Sequence, residues 1–442
     1  MIHITGNKKL IALIVLFFGQ TIISLSDINI NIERNTGVSG PSISHRLTND
    51  VSSFDGVSSS ESMIRTFMDE WGIVGASVAI AKDERLIYAK GFGFTDTTSK
   101  EIVQPRHLFR VASISKLITS VGIMKLIEED KLELSSTVFG SKGIMDDTIY
   151  QDIKDPRVKK ITVEHLLQHS AGWSKYSGDP VFMPYTIKNK MNVELPVSLE
   201  TTIRYTLKYR SLDYNPGEES SYSNFGYAVL GKVIEEVSGL SYEQYITSEL
   251  LNPLGIYNMR LGNSRLDGKF AEEVKYYSHS RFQRSYSSFN AGEIVPRQYG
   301  GNNLRVLGAA GAWLASPAEM LKLVAHIDGL ESKEDILSDK SIAEMTNHDP
   351  DMNPMGWVST NNNGTWKRTG TLTGTSAILK RYENGISWMI VLNTSNDRGH
   401  EFTDNLSSLM TQVVNSVHDW PEYDLFTYNP PKPLFTYSES GH

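Results

Sequence analysis

Cysteine is absent from the 442 residues of the chain. Its absence excludes a disulfide framework, a thiolate zinc site, a catalytic cysteine and a lipid anchor attached through cysteine. An excess of basic residues is also missing, because the formal net charge is −8 and the isoelectric point is near 5.8. Proteins that bind nucleic acids need basic surfaces to neutralise phosphates. We therefore expect no nucleic-acid partner.

Acidic residues are missing from the segment 1–26. Within it, Lys8 and Lys9 precede the apolar run Leu10–Phe18, and small residues stand at its end, including Ser26. This layout is typical of a secretory signal peptide, so we predict cleavage after Ser26 and export to the periplasm or the extracellular space. An uncleaved membrane anchor is the alternative. However, Gly-Gln-Thr at 19–21 ends the run well short of the ~20 apolar residues of a spanning helix. No later segment is apolar enough to cross a membrane.

Strand-like patterns lie near both ends of the chain, and helical patterns lie between them. The strand-like segments are 76–81, 86–93, 364–369, 375–382 and 386–393. Polar or glycine-containing turns separate neighbouring segments, which predicts hairpins. Helical signals dominate from about 120 to 345. We therefore predict an α+β fold, in which an antiparallel sheet built from both termini is flanked by helices and carries an inserted, mostly helical region.

The composition also predicts boundaries. Residues 27–57 are rich in Ser, Asn, Gly and Asp, so we expect a flexible lead-in after the signal peptide. The folded domain is expected over 58–418. Residues 419–442 contain a proline-rich stretch and form a predicted C-terminal tail, which is extended and either packed on the surface or free.

One Ser-x-x-Lys motif occurs in the chain, formed by Ser113 and Lys116 at the start of a predicted helix. A hydroxyl and an amine one helical turn apart share a face, so a neutral lysine can take the hydroxyl proton. Burial can keep a lysine neutral near pH 7. The alternative is that Ser113 only caps its helix while Lys116 is solvated, since caps are commoner than nucleophiles.

Two further elements follow in order. Tyr222-Ser223-Asn224 lies on a loop at a helix start, where the phenol of Tyr222 can share proton transfer with Lys116 and Asn224 can bind a substrate amide. Arg368-Thr369-Gly370-Thr371 ends a predicted strand and offers a cation, a hydroxyl and a bare backbone. The guanidinium of Arg368 is suited to gripping both oxygens of a substrate carboxylate. An exposed surface arginine is the alternative.

These three ordered elements resemble those of the serine β-lactamase and penicillin-binding-protein superfamily. The tyrosine in the second element points to the branch of class C β-lactamases, D-alanyl-D-alanine carboxypeptidases and β-lactamase-like esterases. The resemblance implies that Ser113 attacks a carbonyl, that Lys116 and Tyr222 manage its proton, and that water hydrolyses the acyl-enzyme. It also implies an oxyanion hole formed by the backbone N–H groups of Ser113 and Thr371.

The resemblance assigns substrate binding to Asn224, Arg368, Thr369 and Gly370. The family usually has Lys or His at the position of Arg368. Because arginine does not lose its proton, proton transfer through this position is not expected, whereas carboxylate binding still is.

The sequence thus predicts an exported serine hydrolase that cleaves an amide or ester of a small molecule or peptide. A β-lactam, a D-amino-acid peptide and a small ester all remain open, because a fold does not select a substrate. The alternative is a non-catalytic or slowly acylating penicillin-binding or sensor protein. The oligomeric state stays open.

No cofactor or metal is predicted. His165 and His169 have the spacing of zinc ligands on a helix, but Leu166 stands where a metalloprotease motif needs Glu. A Gly-x-Ser-x-Gly nucleophile elbow is also absent from the sequence.

Overall fold

The computed structural model describes residues 43–279, 283–361 and 363–430. The predicted signal peptide and its cleavage site lie outside these residues. Among the helices in the described ranges, none combines the length and the apolar character needed to cross a membrane.

The strands fall near the two ends of the chain and, as short pieces, between them. In chain order they are β1 Gly75–Lys82, β2 Arg85–Gly93, β3 Phe109–Arg110, β4 Arg260–Leu261, β5 Tyr277–Ser278, β6 Arg284–Tyr286, β7 Ile294–Pro296, β8 Trp313–Ala315, β9 Ser359–Thr360, β10 Trp366–Leu372, β11 Thr375–Arg381, β12 Ile386–Leu392 and β13 Thr394–Ser395.

The main sheet has the order β2-β1-β12-β11-β10-β9, and its neighbouring strands are antiparallel. β1 lies beside β12, with Ala79 opposite Met389, so the two ends of the chain are joined in the middle of the sheet. Most of the helices in the described ranges lie in the segment between β2 and β9. The predicted α+β fold, with a sheet built from both termini and an inserted helical region, is confirmed.

The hairpin of β1 and β2 forms at the polar turn that the sequence predicts. Asp83 and Glu84 at its centre have φ of 49° and 59°. Two central residues with positive φ suit the right-handed twist of adjoining strands. Gly385, with φ of 80°, provides the positive φ in the turn between β11 and β12.

The helices flank the sheet. They are α1 Ile43–Arg46, α2 Val57–Trp71, α3 Ser115–Glu128, α4 Val163–Leu167, α5 Pro184–Met191, α6 Leu199–Tyr209, α7 Asn224–Ser238, α8 Tyr242–Tyr245, α9 Leu304–Gly311, α10 Pro317–Val324, α11 Asp339–Thr346 and α12 His400–Ser416.

Both faces of the sheet are covered, and β1 shows how the sequence achieves this. Val78 and Ile80 belong to the apolar cluster that includes α2 and α12, whereas Ala79 and Ala81 belong to the cluster that includes α3 and α10. Successive strand residues point to opposite faces, so each face of β1 contributes to a different core. The sheet therefore lies between one layer of terminal helices and the inserted helical region.

Helix α3 is buried along most of its length, as its apolar residues on several sides predict. Its residues from Ser115 to Met124 are all buried. A helix with little solvent exposure holds its first turn in a fixed position. Residues at the start of α3 are therefore rigidly placed beside the sheet.

The described parts of the predicted lead-in and tail pack on the core. Ile43 and Leu47 are 1% exposed and join the cluster of the inserted region. Leu425 and Phe426 are also buried there, and the Leu425 amide donates to the carbonyl of Leu86 at 2.7 Å. A few apolar residues in a polar segment are enough to dock it, which average composition does not reveal.

Candidate active site

Ser113 stands in a 3₁₀ turn, Ala112–Ile114, immediately before α3. Ala112 has φ of 48°, in the left-handed region that residues with a side chain seldom adopt. Ala112 and Ile114 are buried, whereas Ser113 is half-buried. The strained turn thus brings the Ser113 hydroxyl toward the surface from an otherwise buried segment. No side chain caps α3, so the helix-cap alternative for Ser113 is wrong.

Lys116 is completely buried, so the alternative of a solvated lysine is also wrong. Its Nζ lies 3.4 Å from Ser113 Oγ and donates to Asn224 Oδ1 at 2.8 Å and to the carbonyl of Ala310 at 2.6 Å. Burial lowers the pKa of Lys116 to about 8. A substantial fraction of neutral amine is therefore present next to the hydroxyl near neutral pH.

Tyr222 completes the contact with the hydroxyl. Its OH donates to Ser113 Oγ at 2.6 Å, and its ring centroid lies 4.8 Å from Lys116 Nζ. Burial opposes ionisation of the phenol, but the positive charges of Lys116 and Arg368 outweigh it and lower the pKa of Tyr222 to about 8. Ser113 Oγ therefore has two proton-accepting groups with lowered pKa values within reach.

Asn224 is the first residue of α7, and two contacts hold it. Its Oδ1 accepts from Lys116 Nζ, and its backbone N–H donates to Asp179 Oδ2 at 2.7 Å. Ser223 caps α7 by accepting from the Gly226 amide at 3.0 Å. Among the described residues, Nδ2 of Asn224 has no hydrogen-bond partner, so this donor is available to a ligand.

Arg368 is 0% exposed, so the alternative of an exposed surface arginine is wrong. Its Nε donates to the carbonyl of Ser113 at 2.8 Å and its Nη1 to the carbonyl of Trp357 at 3.3 Å. Nη2 is buried without a partner among the described residues. Two of the three guanidinium nitrogens thus hold main-chain carbonyls, and Nη2 is the nitrogen without a partner among the described residues.

The third motif lies inside a strand rather than at its end. β10 continues to Leu372 because Thr371 and Leu372 still pair with Ser376 and Thr375 of β11. A Cβ added to Gly370 would lie 2.1 Å from the Val111 carbonyl and 3.1 Å from the Ser113 amide nitrogen. Only glycine allows β10 to lie this close to the Ser113 turn.

The predicted site residues are therefore brought together from three segments, 113–116, 222–224 and 368–371. Thr369 is half-buried and Thr371 is exposed, on either side of the buried Gly370. The backbone of this strand lies against the Ser113 amide, which is the arrangement that the predicted oxyanion hole requires. The catalytic and binding roles of these residues stay predictions.

Two residues of this region were not predicted to belong to it. His169 is buried, and its ring centroid lies 4.6 Å from that of Tyr222. Burial, followed by the charges of Lys116 and Arg368, holds its pKa well below the usual value, so the ring is neutral. Asp179 is the second residue, because it anchors Asn224. Neither contact is visible in the sequence.

His169 and His165 do not act as a pair. His169 Nδ1 accepts from the Ser223 amide at 3.2 Å, and His165 Nδ1 accepts from the Thr162 amide at 3.1 Å as part of the α4 cap. Throughout the described ranges, no group of three or more His, Cys, Asp or Glu side chains is placed to hold a metal ion.

Comparison with known proteins matches residues 61–408 to the family model described as Beta-lactamase. Penicillin-binding protein 4* of Bacillus subtilis is 29% identical over 211 residues, which are 46% of this chain and 42% of that protein. The chain spans only 38% to 42% of the length of the curated relatives that it matches.

Solved structures show the same fold. The octameric penicillin-binding protein homologue from Pyrococcus abyssi is 27% identical, with a TM-score of 0.57, over 77% of this chain and 74% of that one. D-amino acid amidase from Ochrobactrum anthropi has a TM-score of 0.62 at 20% identity, over 81% of this chain and 98% of that one.

Proposed function

This chain belongs to the beta-lactamase family, and from that premise we propose that it is a serine hydrolase whose nucleophile is Ser113. One observation carries the proposal. Ser113 Oγ accepts a 2.6 Å hydrogen bond from Tyr222 and lies 3.4 Å from Nζ of the buried Lys116. A hydroxyl becomes a nucleophile when a nearby base takes its proton, and both neighbours have pKa values of about 8.

In the proposed reaction, Ser113 Oγ forms a bond to the carbonyl carbon of an amide or ester. Its proton passes to the Lys116–Tyr222 pair and from there to the departing amine or alcohol as the carbonyl–heteroatom bond breaks. Water then attacks the acyl-enzyme, and its proton returns through the same pair to Ser113. The products are an acid and an amine or alcohol.

Charge that develops on the carbonyl oxygen needs fixed donors. The backbone N–H groups of Ser113 and Thr371 are proposed to supply them, since Gly370 brings β10 against the Ser113 amide. The unpartnered Nδ2 of Asn224 is proposed to donate to a substrate carbonyl. Thr369 and Gly370 line the same strand edge.

The proposed substrate is an amide or ester of a small molecule or a peptide. The relatives named above include a penicillin-binding protein and a D-amino acid amidase, which support D-amino-acid amides and peptides and β-lactams as the first compounds to test. We also propose that the protein is exported after cleavage behind Ser26. N-terminal sequencing of the protein recovered outside the cytoplasm tests that part.

Covalent labelling tests the reaction. The protein is incubated with a fluorophosphonate and, separately, with a fluorescent penicillin, and the adduct is located by mass spectrometry. We expect an adduct on Ser113 that disappears in Ser113→Ala and persists in Ser58→Ala, where the replaced serine is exposed on α2. An adduct on another residue, or equal labelling of Ser113→Ala, would disprove the mechanism. Release of the penicillin adduct over hours instead of seconds would mean slow deacylation and would favour a penicillin-binding or sensor protein.

A further inference from the structure

Large apolar side chains are exposed on two loops of the inserted region. Tyr176 is 85% exposed and Phe182 is 42% exposed on the first loop, whereas Tyr286 is 64% and Ile294 54% exposed on the second. Single exposed apolar residues are common on protein surfaces, but a group of them beside a site marks a binding surface. The hydrogen bonds and close contacts that anchor the two loops place them around the site.

The first loop, residues 174–183, is fixed to the segment that carries Tyr222 and Asn224. The Lys175 amide donates to Ser221 Oγ at 3.2 Å, and Asp179 accepts from the Asn224 amide. Tyr176 directly follows Lys175, which is bonded to Ser221, the residue before Tyr222. Phe182 lies three residues beyond Asp179. Both residues therefore belong to a segment that is bonded directly to the stretch carrying Tyr222 and Asn224.

The second loop, described at residues 276–279 and 283–300, is fixed on the other side of Ser113. Gly374, at the turn after β10, lies so close that an added Cβ would be 2.5 Å from Tyr276 Cβ and 3.2 Å from Gln298 Cβ. The Gln298 carbonyl also accepts from Arg110, three residues before Ser113, at 2.7 Å. Both ends of this loop are therefore anchored beside the nucleophile turn and the hairpin that bears Thr371.

The hairpin of β6 and β7 forms the outer part of the second loop, and there Tyr286 lies opposite Ile294. Directly opposed strand residues project to the same face, so these two side chains form one surface. Helix α5, which follows the first loop directly, also contacts the second loop. Tyr185 OH donates to the Ser287 carbonyl at 3.0 Å, and the rings of Tyr185 and Tyr286 are 5.9 Å apart.

We propose that Tyr176, Phe182, Tyr286 and Ile294 form an apolar rim that binds a bulky aromatic or aliphatic group of the substrate close to the scissile carbonyl. This inference rests on the proposed function of Ser113 and narrows its substrate class to amides and esters that carry such a group. The rim supplies the contacts because apolar side chains lose unfavourable water contact when a ligand covers them. A small acetyl-type group offers little apolar surface for such contacts.

The test compares two probes of the same nucleophile. Rate constants for Ser113 labelling are measured with an ethyl fluorophosphonate and with a phenylbutyl fluorophosphonate. The proteins are the native chain, Tyr176→Ser, Tyr286→Ser and the double variant. We expect the double variant to lose about tenfold or more in the phenylbutyl rate and less than about twofold in the ethyl rate, as apolar contacts of this size discriminate.

Leu240→Ser is the matched control. Leu240 is 39% exposed and follows the far end of α7, which is 15 residues long and begins at Asn224. At 1.5 Å per residue, this places it about 22 Å from the site. We expect both labelling rates of this variant to stay at the native values. Circular dichroism is used to check that every variant is folded.

The outcomes separate the two proposals. Equal changes for both probes in the rim variants, no change at all, or the same selective loss in Leu240→Ser would overturn the apolar rim while labelling of Ser113 upholds the proposed function. If neither probe labels Ser113 in the native chain, the proposed function fails, and the inference that rests on it fails with it.

Discussion

Nε of Arg368 donates a hydrogen bond to the carbonyl oxygen of Ser113 at 2.8 Å, although the residues are 255 positions apart in the chain. The bond places a permanent positive charge under the nucleophile turn. That charge lowers the pKa of Tyr222 together with Lys116, and it adds to burial in lowering the pKa of Lys116. Arg368 thus has an electrostatic role available that does not require direct contact with substrate.

Arg368→Gln should move the pH profile of Ser113 acylation. The acting base must be deprotonated, so the rate rises as pH passes through the values of about 8 found for Lys116 and Tyr222. Without the Arg368 charge both pKa values increase, and the rise in rate moves to higher pH. The rate at pH 7 then falls by about tenfold for every pH unit that the midpoint rises. The fluorophosphonate labelling rate between pH 6 and 10 measures the midpoint.

Arg368→Lys is the control for this change, because it keeps a positive charge at the position. We expect its profile to stay close to the native midpoint. If both variants lose rate equally at every pH and neither midpoint moves, Arg368 only supports the Ser113 turn. The rates of both variants are also measured with substrates that have and that lack a free carboxylate. This comparison tests whether Nη2 of Arg368 binds the carboxylate.

Local patterns in the sequence predicted the elements that frame the site. α7 runs from Asn224 to Ser238 between a capping serine and Gly239, whose φ of 72° ends the helix. Such signals act within a few residues, so they are readable without the fold. The short strands of the inserted region, such as β6 and β7, were not predicted. Two or three residues are too few to show a period.

Burial and long-range contacts could not be predicted. Arg368 looks like a surface residue in the sequence, yet it is buried because its partners are the carbonyls of Ser113 and Trp357. His169 packs on Tyr222 across more than fifty positions, and nothing in the sequence predicted that contact. Contacts of this kind depend on how segments meet in three dimensions, and no local pattern encodes them.

Tyr222→Phe should slow acylation of Ser113 by about a hundredfold to ten-thousandfold, the usual contribution of general acid–base catalysis. The change removes the OH that donates to Ser113 Oγ at 2.6 Å and keeps the ring that packs near Lys116 and His169. Tyr209→Phe on α6 is the control, since its OH contacts only the Lys190 carbonyl at 3.3 Å among the described residues. Stopped-flow labelling rates compare them. A native rate in Tyr222→Phe would remove Tyr222 from the mechanism.

Gly370→Ala should lower the labelling rate of Ser113 by more than about tenfold, because displacement of the Ser113 turn by even 1 Å is costly to catalysis. The added Cβ would lie 2.1 Å from the Val111 carbonyl, so β10 and the Ser113 turn must separate. Gly226→Ala in α7 is the control, since its Cβ would have no neighbour closer than 3.6 Å. Equal rates in the two variants would contradict the close approach of β10.

Asp328→Asn should stabilise the protein at alkaline pH. Asp328 is 3% exposed, and burial raises its pKa from 3.8 to about 7. Because the folded pKa exceeds the unfolded one, the folded chain binds more protons between these values, and stability falls as pH rises through that window.

Above pH 7 the native protein therefore carries a buried charge that Asn lacks, while Asn still accepts from the Leu330 amide as Asp328 does at 3.0 Å. We expect urea unfolding at pH 8 to give a gain of about 1 to 4 kcal/mol, and almost none at pH 4. Asp267→Asn, whose side chain is 78% exposed, should change neither value. An equal gain at both pH values would show that Asp328 is not protonated in the folded chain at low pH.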